Sequence, residues 1–214
     1  MTVNFDKIEK VISSIQSINQ KAKLLIVTKN RSEEDIKKLL DNHFFMFGEN
    51  RVQEAKKKFE NLPDRHKISL HLIGNLQSNK VQEALKLFDV IQSIDRPKII
   101  YEIVKILKKN DSNFRTKEFF IQVNIGGEEQ KSGVAISDLG RLYKLCCDNN
   151  INITGLMCIP PNDDDPKYYF KKMSKIRDSI DKNLKLSMGM SQDYQEALME
   201  GSDLIRVGSL IFEK

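Results

Sequence analysis

No run in this 214-residue sequence approaches the roughly 18–20 apolar residues that a membrane-spanning helix needs. The opening stretch, MTVNFDKIEK, lacks the apolar core of a secretory signal, so the expected compartment is cytoplasmic. Cysteine is scarce. Cys146, Cys147 and Cys158 form no CxxC pair and no His/Cys cluster with metal-ligand spacing. That argues against structural zinc, and an odd count with an adjacent pair fits reduced thiols. Charge of one sign is not concentrated either: 35 basic and 30 acidic residues, spread along the chain, leave a net +5. The densest basic run, Lys56-Lys57-Lys58, sits between acidic neighbours in EAKKKFE and reads as a solvated helix face. No aromatic platform interleaves with it, so no nucleic-acid partner is expected. Linkers and low-complexity tracts are absent as well, and residues 1–214 read as one domain.

What is present is the mix of a soluble globular protein, 40% hydrophobic and 30% charged. Eight short β-rich runs recur: 23–28, 43–47, 69–73, 89–94, 118–124, 152–157, 184–188 and 203–207. Helix signals fill the gaps. Ser32 can cap EEDIKKLLDN, Ser78 can cap NKVQEALKLF, and Ser137 and Ser191 can open two later helices. Pro97 and Pro166 suit first turns, and Gly201 suits a left-handed C-terminal cap. Alternation of strand and helix predicts parallel βαβ units, and eight of them predict a single (β/α)8 barrel. A doubly wound open sheet is the alternative. Too few residues follow the last strand for an eighth outer helix. The amphipathic segment FDKIEKVISSIQSIN, before the first strand, is therefore expected to cover that place.

Barrel chemistry gathers at the C-terminal ends of the strands. There, Lys29 ends the apolar run LLIVT, which would pack its stem and put its amine at the mouth. Loss of hydration at such a place suits a lysine to Schiff-base chemistry, although a lysine at a strand end can equally reach out to solvent. After the seventh strand, SMGMS offers Ser187, Gly189 and Ser191; after the eighth, RVGS offers Gly208 and Ser209. Free backbone N–H groups and hydroxyls make both loops candidates for phosphate, where ordinary turn chemistry is the plain reading. Arg206 lies inside the apolar run LIRVG, and a guanidinium buried there needs an acceptor. An imine-forming lysine, a phosphate cradle and an arginine at one mouth point to pyridoxal 5′-phosphate (PLP).

FGENRVQE, HLIGNLQSNK, NIGGEEQKSG, GLMCIPP and LSMGMSQDYQEAL…GSDLIRVGSLIF, in that order, resemble one family from about Lys23 to Phe212. It is the PLP homeostasis protein family, which is similar to the N-terminal barrel domain of alanine racemase standing alone. The resemblance implies that Lys29 is the cofactor lysine and that Arg206 lies near the pyridine nitrogen. It places Ser187, Met188, Gly189, Gly208 and Ser209 in the phosphate loops, and Asn50 on the wall of the site. It further implies a carrier that holds PLP and supplies PLP-dependent apoenzymes. A monomer is expected, and Arg206, which disfavours protonation of the ring nitrogen, argues for binding over turnover. A racemase-like enzyme would need an acid/base residue at the mouth, for which Tyr194 and His71 are the candidates. A cofactor-free lyase using Lys29 directly is the third reading.

Overall fold

The computed structural model describes residues 2–109, 113–162 and 165–212. Eight parallel strands follow one another around a closed barrel. They are β1 (Lys23–Val27), β2 (Met46–Glu49), β3 (Ser69–Leu72), β4 (Val90–Ile94), β5 (Glu118–Val123), β6 (Ile153–Cys158), β7 (Lys185–Ser187) and β8 (Leu204–Val207). β1 pairs with β8 to close the ring, with Leu25 opposite Arg206. Seven strands lie within one residue of their expected limits at each end. The exception is β2, expected at 43–47. His43 takes a left-handed conformation (φ 65°), and the Phe44 amide donates to the Leu39 carbonyl. Both belong to the turn that ends the preceding helix, so the strand begins later.

The helices are α1 (Phe5–Ile18), α2 (Glu33–Asp41), α3 (Val52–Phe59), α4 (Val81–Leu87), α5 (Pro97–Leu107), α6 (Ile136–Asp148), α7 (Pro166–Ile180) and α8 (Tyr194–Met199). Asn110, at the expected end of α5, lies outside the described residues. Ser32 caps α2 as expected, accepting from the Asp35 amide while Asp35 accepts from the Ser32 amide. Pro97 and Pro166 occupy first turns. Three expected caps differ. Ser78 opens a 3-10 turn ahead of α4, Ser137 falls inside α6 behind Ala135, and α8 starts only at Tyr194. Gly201 (φ 86°) closes α8.

Most of the apolar core lies between the strands and the helices, and Ile8, Val11 and Ile15 of α1 are buried in it. α1 packs against α8 and β1, and the Asn4 amide donates to the Ile211 carbonyl at 2.9 Å. It thus covers the place behind β8, as expected. A smaller apolar cluster joins Val90, Phe120 and Met157. Val90 shares a strand face with Gln92, two residues on. Gln92 of β4 bonds Ser187 of β7 at 2.6 Å, and since those strands are not paired, that face points into the barrel.

Candidate functional site

A cavity of about 380 Å3 opens at the C-terminal mouth. Lys29, Asn50, Arg206, Gly208 and Ser209 line it. Ser187, Met188 and Gly189 do not.

Lys29 sits in a tight turn just past β1, where the Arg31 amide donates to the Thr28 carbonyl and Asn30 has φ 58°. A buried charge cluster seats this turn. Lys58 Nζ donates to the Thr28 carbonyl (2.7 Å), Glu49 Oε1 (2.9 Å) and Glu54 Oε1 (2.6 Å). Thr28 Oγ1 donates to Glu49 at 2.6 Å, and Glu54 accepts from the Asn30 amide at 2.5 Å. Burial raises the Glu49 carboxyl above its ordinary pKa, against the pull of Thr28 and Lys58. Two expectations change here. The Lys29 side chain is exposed on the open side of the cavity, so the packing and dehydration expected of it are not found. Lys58 is not on a solvated face. It stands one turn after Glu54 on α3, which turns it inward, and its side chain is only 8% exposed.

Arg206 forms the inner end of the cavity and is 3% exposed. Nη1 donates to Ser187 Oγ at 2.9 Å and Nη2 to the Cys158 carbonyl at 2.8 Å. Its Nε–H has no protein partner among the described residues. Burial lowers the guanidinium pKa, opposed by Cys158 and Asp193, but an arginine stays charged all the same. Burial also pushes the Cys158 thiol up to about 12, which leaves it an inert neighbour.

The SMGMS loop is built differently from its sequence reading. Ser187 is fully buried, donating to Gln92 and accepting from Arg206. The Met188 amide is used by the Leu204 carbonyl, and its own carbonyl by Ser202. Gly189 has φ 92°, and a Cβ there would lie 2.5 Å from that of Ala197, so this glycine serves close packing on α8. Ser191, further along the loop, lines the cavity. Its Oγ accepts from the Gly208 and Leu210 amides at 3.4 and 3.3 Å, which joins the loops after β7 and β8. A side chain on Gly208 would meet the Val27 carbonyl at 2.9 Å, so the glycine is required by β1 itself.

His71 and Tyr194 are not at the mouth. His71 lies inside the barrel, its pKa lowered to about 4 by burial. The Tyr194 hydroxyl faces Ser14 on α1 at 3.5 Å. Sequence reasoning passed over Glu49, Gln92 and Asp193, which lines the cavity with a carboxyl whose pKa burial raises. Gln92 had a visible signal, a long polar side chain inside the otherwise strand-forming run DVIQSI. Among the described residues, no group of three or more His, Cys, Asp or Glu could hold a metal, and no helix is long and apolar enough to cross a membrane.

A closed eight-stranded parallel barrel, with a lysine at the first strand end and an arginine rising from the eighth strand, defines a (β/α)8 protein with the fold of the alanine racemase barrel domain. The solved alanine racemase of Corynebacterium glutamicum has this fold, with TM-score 0.72 at 13% identity over 100% of this chain and 62% of that one. No protein-family model matches. A pyridoxal phosphate homeostasis protein from Aquifex aeolicus is 35% identical over 97% of this chain and 96% of its own. PipY of Synechococcus elongatus, solved with PLP bound, superposes with TM-score 0.80 at 29% identity over 97% of this chain and 100% of that one. The chain belongs to the pyridoxal phosphate homeostasis protein family.

Proposed function

We propose that this protein binds PLP reversibly in the barrel-mouth cavity and serves to hold and supply the cofactor. The observation that carries this reading is the presence of the Lys29 amine and the Arg206 guanidinium on the walls of one cavity. The donor set fits the group. Lys29 offers an amine for a Schiff-base linkage to the aldehyde, and Arg206 offers its unpartnered Nε–H to the ring nitrogen. Ser209 and Ser191 offer neutral hydroxyl donors to the phosphate, with Ser191 held in place by the amides of Gly208 and Leu210. Asn50 lines the wall nearby. The cavity volume also falls within the roughly 300–1,000 Å3 of small-molecule sites. Relatives in name and structure, a PLP homeostasis protein and the PLP-bound PipY, support the same ligand.

PLP, when bound, supplies an aldehyde for amine exchange and a ring that acts as an electron sink, most strongly when its nitrogen is protonated. Arg206 has only donors, so it favours an unprotonated nitrogen beside it and a weak sink. His71 and Tyr194, the acid/base candidates, stand away from the mouth. Binding, not turnover, is the role these residues favour, with PLP-dependent apoenzymes as recipients.

The test is borohydride reduction of the PLP-loaded protein followed by peptide mapping. PLP is expected on Lys29, and Lys29→Ala should lose the imine absorbance while keeping the fold. PLP trapped mainly on another lysine, or steady amino-acid turnover that depends on Lys29, would overturn the proposal.

A further inference from the structure

A chain of hydrogen bonds crosses the barrel interior and ends at Arg206. Arg206 Nη1 lies 2.9 Å from Ser187 Oγ, which lies 2.6 Å from Gln92 Oε1. Gln92 Nε2 lies 2.8 Å from His71 Nδ1, and His71 Nε2 lies 3.0 Å from Ser69 Oγ. The four strands involved, β3, β4, β7 and β8, stand on two sides of the barrel, so the chain is a strut through its middle. His71, Gln92, Ser187 and Arg206 are all buried.

The chemistry of the members fixes the direction of every bond. A guanidinium can only donate, so Ser187 must accept from Arg206, and its single hydrogen goes to Gln92 Oε1. That orientation of the amide presents Nε2 to His71. An amide nitrogen can only donate, so His71 Nδ1 accepts and carries no proton. The remaining hydrogen of a neutral imidazole then sits on Nε2 and points to Ser69. A flipped Gln92 amide would aim its NH2 group at Ser187, whose own hydrogen would then lose the acceptor that Gln92 Oε1 provides. Burial favours the neutral imidazole that the scheme requires. All donations therefore run away from Arg206, and the chain has no route for carrying a proton to the cavity.

We infer that Gln92 and His71, which do not line the cavity, are positioning residues that hold Arg206 through Ser187 for the aromatic-ring end of the ligand. Two anchors, Ser187 on Nη1 and the Cys158 carbonyl on Nη2, define the guanidinium plane and leave Nε–H for the cavity. Removal of the Ser187 anchor frees the plane to turn. The ligand assignment rests on the proposed function; the bond directions do not.

Two measurements test this. In 15N NMR of the protein without added cofactor, His71 should be the neutral Nε2–H tautomer through the range around pH 6.5 where an ordinary histidine titrates. A Nδ1–H tautomer, or ordinary titration, overturns the chain. Binding is then titrated with PLP and with pyridoxal, which has no phosphate. Gln92→Met should weaken both ligands alike, by roughly tenfold or more, as for a lost hydrogen bond to a charged group. Gln92→Glu keeps an acceptor for Ser187, should restore binding towards the wild-type value, and should draw the His71 proton to Nδ1. Should Gln92→Met fail to fold, Ser187→Ala cuts the chain one link nearer and should give the same equal loss. Unchanged binding in Gln92→Met, or a loss confined to PLP, overturns the positioning role. A wild-type protein that takes up neither ligand overturns the proposed function instead, and the two failures are told apart because the tautomer is read without ligand.

Discussion

Lys58, on the inner side of α3, donates to the carbonyl oxygen of Thr28 at 2.7 Å, and Thr28 is the residue immediately before Lys29. The same ammonium neutralises Glu49, whose side chain is wholly buried, and Glu54, which holds the Asn30 amide on the other side of the turn. The candidate cofactor lysine is exposed, but the backbone that carries it is bolted to a buried ion cluster.

Lys58→Met should therefore be costly in two ways. It leaves the Glu49 charge buried with only the Thr28 hydroxyl as donor, and loss of one partner of a buried pair costs about 3–5 kcal/mol. Denaturant unfolding should show a loss of that size. In variant protein that stays folded, borohydride trapping on Lys29 should also fall. A loss below about 1 kcal/mol, the scale of an exposed pair, would show that the cluster does not stabilise the fold.

Ser209→Ala should weaken PLP binding by about 10- to 150-fold, the range expected for one charge-assisted hydrogen bond. Pyridoxal should bind wild type and variant almost equally, having no phosphate to lose. Equal losses for both ligands would remove Ser209 from the phosphate site. This pattern is the opposite of that expected for Ser187, which faces Arg206 and not the loop donors.

His71 gives stability a dependence on pH. Its pKa in the fold is about 4, against 6.5 for a free imidazole, so between those values the unfolded chain binds a proton that the folded chain does not. Stability from this residue is present above about pH 6.5 and is lost as pH falls through about 4, by up to about 3 kcal/mol. Denaturant midpoints measured across this window should fall more steeply for wild type than for His71→Gln. Parallel curves would show that the folded protein takes up the proton as readily as the unfolded one.

The sequence by itself determined the barrel, the closing helix and three of the positions that line the mouth cavity. Runs such as LLIVT and FFIQVN, with Pro97, Pro166 and Ser32 between them, are local signals whose meaning survives without knowledge of neighbours. Lys29, Arg206 and Ser209 were legible because each stands at or near the end of an apolar strand, and strand ends in a parallel barrel share one mouth. Tertiary structure alone decided where the other polar groups go. Ser187 and Gln92 are 95 residues apart and meet only because closure of the ring turns both strands' faces inward. Ser187, close in sequence to the cavity-lining Ser191, is thereby taken from the cavity and given to Arg206. Lys58 looked like its neighbours in KKK until the packing of α3 on β2 set which side was inside. Side-chain direction reverses with each residue along a strand and rotates by about 100° along a helix, so one register choice made at long range decides between solvent, core and site.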